Sequence, residues 1–546
     1  MVARKQRVVI VGAGMAGLSA ANKLYTAPGS ADVLELSVVE GGDRIGGRIR
    51  TSQFCGDRIE MGATWIHGIG GSPIYKIASE IGSLRSDQPW ERMDGIPEEP
   101  VTVVEGGFLA DPTVVDPISA LYRNLMELAK GKNIAEDAAA AAAKLSCCRN
   151  GNGNGNGNGQ LSIGSFLRRG LDAYWVLKGE GGDRKTPLRD CGYWSRRSLE
   201  KAVFAMHENT ERTYTSAGDL LQLDFEAEKE YREFPDEEIT IARGYSSIIE
   251  SLASVLPAGM IQLGRKVEKI EWHPGGFSDE EGSSRPVKLH FEDGSVMAAD
   301  HVIVTVSLGV LKAGIREEEA VEGGLFSPQL PPFKTDAITR LGFGVVNKLF
   351  LELDNEGGRG YSKESFPFLQ MAFDQSPPSA AAKQGKIPWW MRRTVSVWPI
   401  YKNSSVLLSW FAGQEALQLE CLKDKEIVEG VSTTLCHMLP DANLFKLESL
   451  YGKLGKVLKS SWGNDPLFLG SYSFVAVGSS GEDLDLMAEP LPAAAAAGPA
   501  PPLQLLFAGE ATHRTHYSTT HGAYCSGIRE ANRLLQHYSL HFLDHP

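Results

Sequence analysis

The amino-acid sequence predicts an α/β fold built from two interleaved domains. Three observations carry that expectation. A strand, a glycine turn and a helix stand at the very start of the chain (residues 6–27), and a strand, loop and helix close it (503–535). Between them, α/β character returns over residues 240–310, flanked by segments of different composition. Grouped this way, residues 1–95, 235–330 and 500–546 form one discontinuous domain, and residues 96–234 and 331–499 form a second, α+β domain.

Each element has a local reason. "RVVIV" (7–11) is a β-branched run, "GAGMAG" (12–17) a tight turn, and "LSAANKLYTA" (18–27) a helix with Leu18 and Leu24 on its buried side. "LELSVVE" (34–40) is a second strand, which completes a βαβ unit. Residues 96–234 are helix-rich and carry two low-complexity patches, an alanine helix at 135–144 and an Asn-Gly surface loop at 150–159. Residues 242–256 read as a helix and 264–272 as a strand. Residues 287–306 read as a hairpin followed by a buried strand. The segment 331–500 is mixed, with strands "GVVNKLFLEL" (344–353) and "VLLSWFAG" (406–413). A loop rich in alanine and proline (491–502) precedes the closing strand.

Composition narrows the function. The 546 residues are 42% hydrophobic and 23% charged, with a net charge of -13. That balance suits a globular protein with a sizeable core. It makes nucleic acid and anionic membranes poor partners and attracts cationic small molecules, although solubility alone also accounts for it. Seven cysteines, an odd number without a CxxC, indicate reduced thiols and no metal site. Arg4, Lys5 and Arg7 ahead of an apolar run imitate a signal peptide, but the run is full of glycine. No stretch is apolar and long enough to span a membrane, and Leu543–Pro546 is no sorting address. A cytoplasmic location is the expectation.

The chemistry begins at Gly12-Ala13-Gly14-Met15-Ala16-Gly17. Gly12 permits the turn, Gly14 lets backbone approach a pyrophosphate, and Gly17 lets the helix pack on the strand. The helix N-terminus then receives the phosphates. A lone GxGxxG is a weak signal. This one follows a strand, opens a helix and precedes Glu40, an acid at the end of the second strand where ribose hydroxyls are bound. Just downstream, "EGGDRIGGRIR" (40–50) sets a glycine pair between Arg44 and Arg48. This resembles the second fingerprint of FAD enzymes, with arginine suited to phosphate.

With "GATWIHG" (62–68), which reads as a bend of small residues presenting Trp65 and His67, and with the tail "LFAGEATHRTHYSTTHGAYCSG", the chain resembles the flavin amine oxidases. Within them it is similar to the polyamine oxidases of plants and animals, from Val8 to about Leu535, leaving out the low-complexity insertions. The resemblance implies a GxGxxG-type FAD domain, and it lays Thr64 and Trp65 along the flavin and the substrate tunnel. His67 takes the position where members that oxidise the outer side of the polyamine nitrogen carry an acid. A histidine there is characteristic of back-converting members. An imidazole can share a proton with an amine near neutral pH. The resemblance also implies that Lys348 holds a water near flavin N5, that Glu510 bonds the ribityl chain, that backbone at Thr520 meets the flavin ring and at Val267 the adenine, and that Arg48 contacts the flavin. Tyr472 walls the tunnel, supported by Trp462 and Asp465. Glu208 and Glu211 fall roughly where the family places a second tunnel acid, on a stretch that also reads as the solvent face of a helix.

Some positions depart from the pattern. Val346 and Thr519 stand where some plant members carry tyrosines, so the aromatic cage is partly dismantled. No cysteine precedes Thr519 in the tail, where monoamine oxidases attach their flavin, and the expected FAD is non-covalent. The resemblance implies oxidation of spermine, thermospermine or a related polyamine by O2, giving a shorter polyamine such as spermidine, 3-aminopropanal and hydrogen peroxide, by a protein expected to be a monomer. The alternatives are a lysine demethylase on the same scaffold, for which no appended helical domain or coiled-coil insertion is seen, and a non-catalytic FAD-binding protein.

Overall fold

The opening β-branched run becomes the centre of a sheet. Gln6–Val11 pairs in parallel with Leu34–Val39 on one side and with His301–Val304 on the other. Leu505–Phe507 and Ile261–Gln262 add the two edges, so that all five strands are parallel. Val8, Val9 and Ile10 are fully buried, as a strand covered on both faces requires. This is a computed structural model. It describes residues 4–85, 100–133, 161–179, 192–273, 285–315, 324–353, 366–376, 387–401, 404–439, 454–492 and 503–540.

The helix Met15–Thr26 follows the first strand and packs against the helix Thr520–His537. Gly527 makes that approach possible, because a Cβ there would fall 2.2 Å from the carbonyl oxygen of Ala16. A second sheet, in the order Val296–Ala299, Val287–Phe291, Val267–Trp272 and Phe326–Ser327, is antiparallel except for its last pair. A third has seven strands, in the order Leu454–Lys459, Val346–Leu353, Val406–Ala412, Ser396–Pro399, Leu369–Ala372, Val101–Val104 and Phe108–Leu109. The helices Pro112–Ala129, Ile163–Leu177 and Arg196–Thr215 share a core of Leu121, Leu125, Phe166, Leu199 and Phe204. The architecture is thus α/β with mixed sheets and helices.

Three local expectations change. The helix-rich stretch 96–234 contributes two strands to the seven-stranded sheet. Their partner, Leu369–Ala372, lies far along the chain and leaves no local signal. The helix expected over 242–256 spans Ser246–Ser254, because Gly244 sits at φ +88°, outside the helical region. Within the expected bend, Trp65–Ile66 form a short strand against Ile239–Thr240. The alanine and Asn-Gly patches, most of the loop 491–502, and Cys147, Cys148 and Cys191 lie outside the described residues. Cys55, Cys421, Cys436 and Cys525 are free thiols. Among the described residues, no helix is long and apolar enough to cross a membrane.

Burial holds three histidines neutral. It brings His207 and His513 down to about 4 and His521 to about 3, while Ser119 Oγ bonds His207 Nε2 and Ser72 Oγ bonds His521 Nδ1. As pH falls below the ordinary histidine value of about 6.5, the unfolded chain takes up these protons and the folded chain does not. The contribution of these three groups to stability is therefore expected to fall progressively from about pH 6.5 toward pH 4. Urea midpoints of wild type and His521→Asn at pH 7 and pH 5 check this, because the difference between the two isolates the histidine from the buried carboxyls, which act in the opposite sense. The gap between wild type and variant should change in favour of the variant at pH 5, and an unchanged gap would contradict the assignment.

Candidate active site

One cavity of about 920 Å³ runs between the sheets and gathers most of the expected residues. Its volume is at the upper end of the roughly 300–1,000 Å³ typical of small-molecule sites.

At one end lies the glycine turn. Gly12 has φ +108°, and a Cβ there would meet Thr305 Oγ1 at 2.5 Å. Gly17 stands off the cavity and permits packing: a Cβ would fall 1.9 Å from the Gly12 carbonyl oxygen. Gly14 lies on the wall, where the nearest atom to a Cβ is 3.9 Å away. The helix it opens has no side-chain cap, which leaves first-turn N–H groups free for an anion. Both oxygens of Glu40 accept backbone N–H bonds, from Ala13 and Gly42 at 2.8 Å each, and this fixes the carboxylate at the strand end. Val267 lines the same end, where its strand shifts register. An open turn, uncapped N–H groups and a fixed carboxylate suit a dinucleotide. Arg44 differs from expectation. Its guanidinium donates to the carbonyls of Ile45, Gly47 and Ile49, so it braces its own loop and does not line the cavity.

The middle is tied together by Arg48 and Glu510. Arg48 Nη1 donates to Glu510 Oε1 at 3.0 Å and to the Ser471 carbonyl at 2.7 Å. The other oxygen of Glu510 accepts from Ser473 Oγ at 2.6 Å and from the Ser518 amide at 3.0 Å. Thr520, beside it on the wall, begins the closing helix and bonds Tyr245 Oη at 2.5 Å. Thr519 caps that helix, accepting from the Gly522 amide at 3.0 Å.

Lys348 reaches this wall from the seven-stranded sheet. Its ammonium donates to the carbonyls of Glu60 and Gly62 at 2.6 Å each and to Thr64 Oγ1 at 2.5 Å, which occupies all three of its N–H donors. It lies 4.6 Å from the centre of the Trp410 ring. Burial pushes Lys348 down to about 7, against the attraction of the Glu60 carboxylate. Burial pushes Glu60 up to about 7, against the Tyr245 amide bond and the Lys348 charge. Gly62 packs so closely that a Cβ would lie 1.8 Å from the Arg48 carbonyl oxygen. Small residues in GATWIHG therefore serve contact with Arg48 and with Lys348.

The remaining arm is aromatic and acidic. Trp65, Trp462, Trp410, Tyr472 and Val346 line it. Tyr472 Oη donates to the Thr213 carbonyl, and Trp462 Nε1 donates to the Met61 carbonyl at 3.3 Å. Asp465 does not line the cavity and turns its carboxylate to the Leu467 amide. His67 lines it, with Nδ1 2.7 Å from Glu238 Oε1. The short ribbon explains the pair: Trp65 faces Thr240 and Ile66 faces Ile239, so the next positions, 67 and 238, are opposed. The bond to His67 holds the Glu238 carboxyl below its usual range. Of the two acids on the helix Arg196–Thr215, Glu211 lines the cavity. Glu208 turns to the neighbouring helix instead, accepting from Arg168 Nε at 3.2 Å, and does not reach the site.

Sequence reasoning missed Glu60, Glu228, Glu233, Glu238 and Lys130, all on the cavity wall. The signal available for three of them was the acid-rich stretch "FEAEKEYREFPDEEIT" (225–240).

The comparisons agree with this geometry. The family model described as flavin containing amine oxidoreductase matches residues 15–535. The chain is 55% identical to "Probable polyamine oxidase 5" of Arabidopsis thaliana, over 99% of this chain and 100% of that protein. It is 48% identical to "Polyamine oxidase 1" of Oryza sativa subsp. japonica, over 98% of each. It is also 33% identical to the human "Peroxisomal N(1)-acetyl-spermine/spermidine oxidase", over 97% of this chain and 94% of that protein. A match of this extent, on a chain whose cavity joins a glycine turn to a buried lysine, shows that the protein belongs to the flavin containing amine oxidoreductase family.

Proposed function

We propose that the protein is an FAD-dependent polyamine oxidase. A secondary amine, O2 and water give an aldehyde from the carbon that was oxidised, a shorter primary amine that keeps the nitrogen, and hydrogen peroxide. The observation that carries this reading is that Glu211 and Glu228, two carboxyls without hydrogen-bond partners among the described residues, share a cavity with Lys348 and an aromatic wall. Such a wall attracts a flexible polycation with apolar spacers. The printed names of the relatives support the same substrate class.

FAD would be held at the Gly12–Gly17 turn, by Glu40 and Val267, and along Arg48, Thr64, Trp65, Glu510 and Thr520. The cofactor-binding domain would comprise residues 1–95, 235–330 and 500–546, and the substrate domain residues 96–234 and 331–499. All five strands of the parallel sheet fall in the first set, which supports the division. Non-covalent binding is supported because, among the described residues, no cysteine lines the cavity. Bound FAD supplies the two-electron acceptor for the carbon beside the amine nitrogen, and O2 restores it. The chain's residues do the rest. Trp65 and Tyr472 orient the apolar spacers, and the acids hold the terminal ammonium groups. Lys348 and His67 set the proton balance around the reacting amine, which must be neutral to lose hydride. His67, with Nδ1 engaged by Glu238, keeps its other nitrogen for the amine.

The direct test is peroxide release on adding spermine to the yellow protein, with mass spectrometry of the products. Spermidine with 3-aminopropanal supports back-conversion, and diaminopropane points to the other side of the nitrogen. No peroxide and no consumption of any polyamine would refute the activity. His67→Ala is expected to lower kcat/KM on the order of tenfold to a hundredfold, the worth of one hydrogen bond to a charged group, with flavin retained. The shape of its pH profile should change as well. His67→Glu should hold the cation more strongly and shift which carbon is oxidised. Wild-type kinetics and products from both variants would make His67 a packing residue.

A further inference from the structure

We propose that Lys130 is a specificity-determining residue: its ammonium is a resident cation in the acidic arm of the cavity and selects against substrates that bring a charged amine to that end. This rests on the polyamine reading above.

Lys130 is the residue that ends the helix Pro112–Ala129, and its backbone amide donates to the Met126 carbonyl at 2.9 Å, so its place is fixed by the helix. Its side chain lines the cavity and pairs with Glu233 at 3.1 Å. Burial opposes its charge. The carboxylates of Glu233, Glu211 and Glu228 outweigh burial and lift the group above its usual range.

The acids around it are not all satisfied. Glu233 has Lys130. Glu228 is 6% exposed, lines the cavity and has no hydrogen-bond partner among the described residues. Its carboxyl therefore opens onto the cavity, where a ligand can reach it. Burial pushes it up to about 8, with Glu211 adding to the rise and Lys130 opposing it. Asp224 faces it from its own segment, and Tyr231 and Tyr517 pack beside it. Glu211 also has no such partner, and burial raises it too.

An incoming ammonium group would satisfy Glu228 and Glu211. It would enter a field that already contains one cation of the chain's own. Lys130 thereby limits how much positive charge this end accepts, and a substrate with a neutral end meets no such opposition. Like charges a few ångströms apart in a partly buried site change affinity on the order of tenfold.

The experiment uses the full-length holoenzyme and two probes with charged and neutral ends, spermine and its doubly N-acetylated form, diacetylspermine, and each variant is compared with wild type so that the added acetyl bulk cancels. The readout is the ratio of kcat/KM for spermine to kcat/KM for the diacetylated probe. In Lys130→Met the ratio should rise on the order of tenfold, chiefly through a lower KM for spermine. Lys130→Arg, which keeps the charge, should stay within about twofold of wild type. Glu228→Gln should move the ratio the other way. Flavin content checks folding of each variant, and Lys130→Gln gives the same reading if Lys130→Met loses flavin. An unchanged ratio in the uncharged variants, or an equal rise in Lys130→Arg, overturns the proposal. If wild type consumes no polyamine, the polyamine reading fails. If it turns over both probes and the ratio does not move, only the role of Lys130 fails, and if it turns over one alone, a Lys130→Met protein with the same kcat/KM for that probe as wild type overturns that role as well.

Discussion

Lys348→Met should reduce turnover by about 10²- to 10⁴-fold, the range for loss of a positioned proton-transfer group, while the protein still binds flavin. Methionine keeps an unbranched side chain, one atom shorter, and removes the charge. The Glu60 and Gly62 carbonyls and the Thr64 hydroxyl then lose their shared donor inside the wall. Leaving buried acceptors unmet costs about 1–3 kcal/mol each, so the variant should also be less stable and its GATWIHG loop less fixed. The pH profile gives a second reading. Burial lowers Lys348 and raises Glu60, so the two titrate as one pair toward neutral pH. That inflection should disappear from the kcat profile of the variant. Stopped-flow traces equal to wild type in both flavin reduction and reoxidation would remove Lys348 from the chemistry.

Glu510→Ala should have the largest effect on the holoprotein itself. The carboxylate is 5% exposed and holds Arg48 on one oxygen and the Ser473 hydroxyl and Ser518 amide on the other. Breaking such a pair by removing one partner costs about 3–5 kcal/mol, because the remaining charge stays partly buried and uncompensated. Tm should fall by on the order of 5 °C or more. Flavin should be lost as well, because the three segments that Glu510 connects all face the proposed ribityl region. Glu510→Gln, which keeps an acceptor for Arg48, should be milder. The ratio of flavin to protein after gel filtration, read with a melting curve, decides the matter. A Glu510→Ala protein with wild-type flavin content and Tm would show that the carboxylate holds nothing.

Both residues were legible in the sequence, for different reasons. The strand, turn and helix around Gly12–Gly17 are local, and so is Glu40 at the end of the next strand. Their physical signatures, β-branched runs and glycines at fixed offsets, survive without any knowledge of the rest of the chain. Lys348 was legible as the lysine of the strand "GVVNKLFLEL", at the position the family resemblance marks. Its three acceptors were not, since they belong to residues 60–64. Glu208 and Glu211 show the limit of helix periodicity. They sit three positions apart on one helix, and only the neighbouring helix decides that Arg168 takes one while the cavity takes the other. Glu238 became a partner of His67 through a two-residue ribbon whose strands are far apart in sequence. Lys130 and Glu228 carry no motif, and their meaning comes from the unpaired charge around them.

The order of strands in the parallel sheet joins the two ends of the sequence. The edge strand Leu505–Phe507, Glu510 and the helix Thr520–His537 lie far along the sequence from the first strand and helix, yet they pack directly against them. Gly527 of the late helix lies against Ala16 of the early one. Without residues 503–540 the glycine turn and Glu40 would lack both the carboxylate that holds Arg48 and the wall at Thr520. The cleft is therefore a structure of high contact order, and closing it requires bringing together ends of a very long loop, which is a slow kind of contact to form.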